Sequence, residues 1–319
     1  MDIRDVDVNS IIPTVVDATA VVLQTQNPIG AASGRVYLQG RVDHSDAQVE
    51  LGDGATITDS TGRYALTAAA GTQTLRVTKT GYLPAQQSGV PIAIGGFYAV
   101  PRVSLAGGDV NDDGAINLFD LVFVAAHFAD PPSVAPRADI NEDASVDVLD
   151  VVMVATNYGK RGTQAAFTTK AAPAEEQHKA AAPIARVSLD APTWVKAGEE
   201  FKATVRVRNA HDLFGAQVAL GFDPRQVSLI DIDDEHPGGQ GMLGDLLPNA
   251  YVAANKADRG GTFTFAATRL APDEAVSGDG VLVTLLFRAR ASGDPGLHLT
   301  SARLVDADAA QLPSLVTTK

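Results

Sequence analysis

The sequence predicts a multidomain, mainly β protein: a small β-sandwich, a short α-helical segment and a larger β-sandwich of jelly-roll type. Three observations predict it. Residues 31–105 and 184–316 alternate apolar and polar side chains in short runs broken by Gly and polar turns, the period of half-buried strands. Between them, residues 106–160 repeat a polar loop followed by an apolar helical pattern. With 319 residues, 45% of them hydrophobic, the chain is long enough for two or three packed cores.

Residues 1–30 are of mixed character and form an unassigned N-terminal extension. In 31–105 the runs GRVYLQGRV, AQVELG, ATITDSTGRYALTA and TQTLRVTKTGYLPA predict a sandwich of about seven short strands. Asp59, Gly62 and Tyr64 read there as a turn into a strand. Residues 161–183, rich in Ala, Thr and Pro with little periodicity, read as a linker. If flexible, it spans roughly 25–30 Å. In 184–316 the runs ARVSLDA, FKATVRVRN, GAQVALGF, VSLIDI, AYVAAN, TFTFAAT, GVLVTLLFRAR and LHLTSARLV predict roughly eight or nine strands and no helix.

Asp and Glu number 38 against 25 Lys and Arg, a net charge of −13, which argues against a nucleic-acid partner, because phosphate binding needs a basic surface. The charge is local. Ala106–Lys160 holds ten acidic and two basic residues, a net of −8, and such density suggests cation sites. The chain has no cysteine, so disulfides, thiolate metal sites and a cysteine nucleophile are excluded. No run of ~18 apolar residues encodes a membrane span. The opening MDIRDVDVNS lacks the basic-then-apolar profile of a signal peptide. A cytoplasmic protein, a truncated start and export by another route all stay open on that ground.

The middle segment is an internal repeat. DVNDDGAINLFDLVFVAAHFAD starts at Asp109 and DINEDASVDVLDVVMVATNYGK at Asp139, 30 residues later, with seven of 22 positions identical. Each repeat opens with twelve residues that supply oxygen donors at positions 1, 3, 5, 7, 9 and 12. The first set is Asp109, Asn111, Asp113, the Ala115 carbonyl, Asn117 and Asp120. The second is Asp139, Asn141, Asp143, the Ser145 carbonyl, Asp147 and Asp150. Calcium takes 6–8 oxygens at about 2.3–2.6 Å, so this spacing wraps one ion per loop and predicts two Ca²⁺. Gly114 fits the sharp turn at position 6, where the second loop has Ala144 and should be weaker or slightly distorted. Apolar Ile116 and Val146 at position 8 suggest a β-bridge between the loops. Leu121, Val124, Ala125 and Phe128 share one helix face, as do Val151, Val154, Ala155 and Tyr158. Gly and Pro before each loop rule out the incoming helix of an EF-hand, which leaves no helix pair to open as a calcium sensor does.

This pair of loop–helix units resembles a type I dockerin, over residues 106–160. The resemblance implies two calcium units related by pseudo-twofold symmetry and helix residues that bind a cohesin. By position these are Leu118, Phe119, Ala125 and Ala126 in the first unit, and Val148, Leu149, Ala155 and Thr156 in the second. They are mostly apolar, so the partner surface should be apolar too. Core packing is the competing reading of Phe119 and Leu149.

Residues 184–316 resemble a cohesin, in VSLDAPTWVKAGEEFKATVRVRNAHDLFGAQVALGFDPRQVSLIDI and the strands that follow. The resemblance implies a flat sheet that binds a dockerin, with Gln217, Ala219, Tyr251, Ala253 and Asn255 as candidates. The fold is also similar to some carbohydrate-binding modules. Sugar binding calls for an aromatic platform, and this segment has only Trp194 and Tyr251 beside Phe201, Phe214, Phe222, Phe263, Phe265 and Phe287, which read as core. Residues 31–105 resemble carboxypeptidase regulatory-like domains, small Ig-like or transthyretin-like sandwiches, in SGRVYLQGRV and TDSTGRYALTAAAGTQTLRVTKTGYLPA. Only Ala106–Gly108 separate it from the first loop, so it should pack on the dockerin-like unit.

An enzyme is disfavoured. His44, His127, His178, His211, His236 and His298 form no pair at metal-ligand spacing, and no nucleophile elbow, phosphate loop or dinucleotide fingerprint occurs. The remaining polar cluster, Asp231, Asp233, Asp234, Glu235 and His236, reads as a solvated loop. The resemblances imply a non-catalytic adaptor of a cellulosome-like assembly, extracellular or at the cell surface. Its dockerin would engage a cohesin-bearing protein and its cohesin a dockerin-bearing one, with self-association or intramolecular pairing both open. The alternative is a carbohydrate-binding extracellular surface protein.

Overall fold

The computed structural model describes residues 29–162, 167–168, 183–232 and 240–317. The extension before Ile29, most of the 161–183 segment with His178, and Asp233, Asp234, Glu235 and His236 of the polar cluster lie outside the described residues.

The first unit comprises β1 (Ile29–Leu38), β2 (Gln48–Leu51), β3 (Gly54–Ile57), β4 (Arg63–Ala69), β5 (Gly71–Thr78), β6 (Gly81–Tyr82), β7 (Ala85–Ile92), β8 (Phe97–Ala99) and β9 (Arg102–Leu105). One sheet runs β9-β1-β4 with β8 also on β1, and the other runs β3-β2-β5-β7. Strict alternation buries Val49 and Leu51 of β2 and Tyr64 and Leu66 of β4 between the sheets. The nine strands exceed the expected seven because β6 and β8 have two and three residues, too few to show a period. Asp59 accepts from the N–H groups of Thr61 and Arg63 (both 2.9 Å), which closes the turn into β4.

The middle unit starts with β10 (Gly107–Asp109), which pairs antiparallel with β6 of the sandwich. Two nine-residue helices follow, α1 (Leu118–Ala126) and α2 (Val148–Thr156). Each begins at a reciprocal capping box, Asn117 with Asp120 and Asp147 with Asp150, which satisfies two N–H groups that a helix start leaves free. Leu121, Val124 and Phe128 are buried after the first loop, and Val151, Val154 and Ala155 after the second. The suggested bridge between Ile116 and Val146 does not form. Instead the N–H of Gly159, beyond α2, donates to Ile116, and that of Ala129, beyond α1, donates to Val146. Each loop thus pairs with the chain leaving the other helix.

The middle unit also packs on the sandwich. Arg41 reaches Glu142 of the second loop at 2.5 Å, and the Tyr82 hydroxyl donates to the Ile140 carbonyl at 3.2 Å. Buried Asn157 donates to the Gln39 side chain (2.6 Å) and to the Gly107 carbonyl (2.7 Å). Of the segment read as a linker, Arg161 bridges Ala115 in the first loop and β11 (Phe167–Thr168) pairs with β9 of the sandwich.

The third unit contains β12 (Ala185–Asp190), β13 (Glu200–Leu213), β14 (Gly215–Gly221), β15 (Val227–Leu229), β16 (Met242–Leu243), β17 (Tyr251–Ala257), β18 (Thr262–Thr268), β19 (Val276–Ala289), β20 (His298–Val305) and β21 (Ser314–Thr317). One sheet runs β15-β19-β13-β12-β21 with β16 on β19, and the other runs β17-β18-β14-β20. Phe263, Phe265 and Phe287 fill the space between them, with the Phe201 ring stacked on Phe287 at 5.8 Å. Two phenylalanines depart from the expected core. Phe222 is half-buried, its ring edge-on to Phe287, and Phe214 points away from this core into the one shared with the helices.

Candidate functional site

Both acidic loops fold alike. Asp109 accepts from the N–H groups of Asp113 (3.0 Å) and Gly114 (2.9 Å). Asp139 accepts from those of Asp143 and Ala144 (both 3.1 Å). Asp113 and Asp143 accept from Ala115 and Ser145, and Asn111 and Asn141 turn their carbonyl oxygens to Asp113 and Asp143. Asp120 and Asp150 close the loops from the helix starts, accepting from Val110 and Asn117, and from Ile140 and Asp147. Position 6 is left-handed in both loops, with φ 81° at Gly114 and 71° at Ala144.

The loop carboxylates are buried and crowded by like charge. Asp109, Asp120, Asp139, Asp147 and Asp150 are all buried. Burial pushes Asp109 up to about 6, with Asp120 and Asp113 adding like-charge repulsion. Burial also raises Asp120, Asp139 and Asp147, and raises Asp150 well above the usual carboxylate range. Among the described residues no three acidic or imidazole side chains close into a finished metal cluster. The donor chemistry nonetheless fits a hard divalent ion: carboxylate, amide and carbonyl oxygens, with buried charge that needs an opposite charge. The residues that would hold it are Asp109, Asn111, Asp113, Ala115, Asn117 and Asp120, and Asp139, Asn141, Asp143, Ser145, Asp147 and Asp150.

The two helices have different surroundings. On α2, Val148, Val152 and Ala155 are fully buried, and Leu149 and Thr156 are half-buried. Val148, Leu149, Val152 and Ala155 lie against the outer side of β17-β18-β14-β20, in one apolar cluster with Phe214, Ala254, Ala266 and Val305. On α1, Leu118 (55% exposed), Phe119 (78%) and Ala126 are exposed, and Ala125 is half-buried. Val122 and Phe123 extend this exposed apolar face.

Comparison with known families separates these units. Residues 107–157 match the dockerin type I domain, and residues 185–314 match the cohesin domain. The middle unit is dockerin-like and the third unit is cohesin-like. Domains of these two kinds are non-catalytic protein–protein interaction modules of the cellulosome type. Similar solved structures include a type II cohesin–X–dockerin complex from Acetivibrio cellulolyticus (24% identity, 42% of this chain and 97% of that one, TM-score 0.37). A non-cellulosomal cohesin from Archaeoglobus fulgidus (15%, 42% and 87%, TM-score 0.33) and a type I cohesin–dockerin complex from Clostridium thermocellum (14%, 42% and 90%, TM-score 0.33) are others. None of the curated proteins matches. No helix among the described residues is long and apolar enough to cross a membrane.

The cohesin-like candidates divide. Gln217 sits on the outer face of β14 and accepts from the Val148 N–H at 3.2 Å. Tyr251 and Ala253 pack against the cluster shared with the helices, and Ala219 lies half-buried on the same face of β14 as Gln217. Asn255 takes another role: its amide exchanges two hydrogen bonds with the Gly241 backbone (both 2.8 Å), pinning that loop within the cohesin-like module. Sequence reasoning missed three contributors. Arg303 of β20 pairs with Asp147, the Ala271 N–H donates to the Ala155 carbonyl at 3.0 Å, and Gly215 lies beneath Val152. One signal was available, the change from Asn117 in the first repeat to Asp147 in the second.

Proposed function

We propose that the chain is a non-catalytic, calcium-dependent adaptor of a cellulosome-like assembly, acting outside the cell or at its surface. The observation that supports it best is the pair of matching loops lined by buried carboxylates, in a segment that matches the dockerin type I domain beside one that matches the cohesin domain. Each Ca²⁺ supplies two positive charges to its loop. The chain's own residues do the rest. Backbone N–H groups orient Asp109 and Asp139, and Asp120 and Asp150 tie the loop to its helix start. The helix then presents apolar residues to a partner.

In this reading, Leu118, Phe119, Ala125 and Ala126 serve a cohesin-bearing partner. Val148, Leu149, Ala155 and Thr156 form the second dockerin face, and Gln217, Ala219, Tyr251 and Ala253 belong to the cohesin-like face, with Asn255 left to its bonds with Gly241. The test is capture of the full chain by a panel of immobilised cohesins and dockerins, in calcium and in chelator. Calcium-dependent capture is expected. A chain that binds no calcium and no member of either panel overturns the proposal.

A further inference from the structure

We infer that the chain closes on itself through its second repeat, with Arg303 as the residue that selects α2 over α1. This rests on the dockerin-like and cohesin-like reading above and goes beyond it by naming the internal partner.

Both ends of α2 are completed by the cohesin-like module. The Val148 N–H, one of those a helix start leaves free, finds Gln217, and the Ala155 carbonyl in the last turn finds the Ala271 N–H. Between them α2 lies flush on β14. A Cβ at Gly215 would collide with the Val152 side chain and would stand 3.4 Å from that of Val148. Beside the helix start, Arg303 forms an ion pair with Asp147, whose other oxygen caps the Leu149 N–H.

The first repeat cannot make this fit. Thirty residues earlier, Asn117 stands where Asp147 does and offers Arg303 no carboxylate. Leu118 replaces the smaller Val148 beside the glycine notch. The pseudo-symmetric helices are therefore unequal for this sheet. The closed chain covers the α2 face and the outer face of the cohesin-like sheet together, and leaves Leu118 and Phe119 of α1 exposed.

The test uses the full chain with a protease site placed within 171–176, cleaved after folding in calcium. The two halves should co-elute in size-exclusion chromatography. Arg303→Glu should weaken their association by about tenfold or more, so that they separate at low micromolar concentration. Gln217→Ala, which leaves every charge in place, should weaken it as well. Ile94→Glu, exposed on the first sandwich, should leave it as in the parent chain. Circular dichroism of each variant checks folding. Halves that separate in the parent chain, or that resist both Arg303→Glu and Gln217→Ala, overturn the inference. Capture of the uncut chain by the cohesin panel while the cleaved parent halves separate rejects self-closure and leaves the adaptor reading standing. Halves that hold together in a chain that captures nothing, with Arg303→Glu capturing nothing either, support self-closure and reject the adaptor reading.

Discussion

The N–H of Gly159 donates to the carbonyl of Ile116 at 2.8 Å, across the dockerin-like module from one repeat to the other. The same bond recurs thirty residues earlier from Ala129 to Val146 at 2.9 Å. Each loop is closed by the chain that leaves the other helix, and Gly159 and Ala129 both take left-handed conformations to make the turn (φ 83° and 67°). Neither loop can open without loosening its counterpart.

On the proposed calcium reading, loss of one site should therefore weaken the whole module. Asp150→Asn removes the closing carboxylate of the second loop. Isothermal titration should then show one calcium-binding event where the parent shows two. The midpoint of thermal unfolding in calcium should fall by about 5 °C or more, because metal binding and folding are coupled. Near-ultraviolet circular dichroism and hydrogen exchange should report both helices loosening together. A variant that keeps full protection in α1 while α2 exchanges freely would show that the repeats fold independently.

Position 6 of the loops offers a paired exchange. Ala144 holds φ 71°, which a Cβ disfavours, whereas Gly114 holds φ 81° with nothing near the place of a Cβ. The cost of a side chain there is conformational, not steric. Ala144→Gly should stabilise the chain by about 1 kcal/mol and tighten the second site, and Gly114→Ala should destabilise by a similar amount. Denaturant titration in saturating calcium measures both. Equal effects of the same sign would contradict the strain argument.

Local chemistry made much of this molecule legible in its sequence. The loop–helix units were readable because oxygen donors at fixed spacing and capping residues act within a dozen residues. The strands of the cohesin-like module were readable because Phe263 and Phe265 alternate with polar neighbours. What stayed hidden depends on how modules meet. Phe214 fits the strand pattern as well as Phe263 does, yet it faces α2, and no period distinguishes an inner face from an outer face covered by another module. Arg303 looks like any polar residue of an edge strand until Asp147 is beside it. The expected Ile116–Val146 bridge failed for a related reason. Two apolar residues at matching positions suggest pairing with each other, but reciprocal pairing with the opposite chain exit satisfies both.

The first sandwich contains a pH-sensitive group far from the loops. His44 is buried, and its Nδ1 accepts from the Leu38 N–H at 3.2 Å, which requires a ring nitrogen without a proton. Burial lowers its pKa below the usual 6.5, and Arg35, Arg41 and Arg102 push it further down, against a smaller opposing effect of Asp43. The unfolded chain therefore takes up a proton near pH 6.5 that the folded chain refuses. The stabilising contribution is complete above pH 6.5 and is lost as pH falls below it toward the folded pKa. Thermal unfolding of the parent chain in calcium should decline between pH 7.5 and 5. His44→Gln should be less stable at pH 7.5 but should lose less on acidification. Parallel pH profiles would exclude His44 as the source.

Gly215 and Val152 give the most direct measure of how closely α2 lies on the cohesin-like sheet. Gly215→Ala places a methyl group where the Val152 side chain already is, so it should force α2 outward and weaken association of the cleaved halves. Val152→Ala alone removes apolar burial and should also weaken it. If the two side chains compete for one space, the losses will not add. The double variant should hold its halves better than the summed single effects predict, with a coupling energy of about 1 kcal/mol or more. Affinities of the four cleaved chains, measured by sedimentation, complete the cycle. Strict additivity would mean that α2 does not rest on Gly215 in solution.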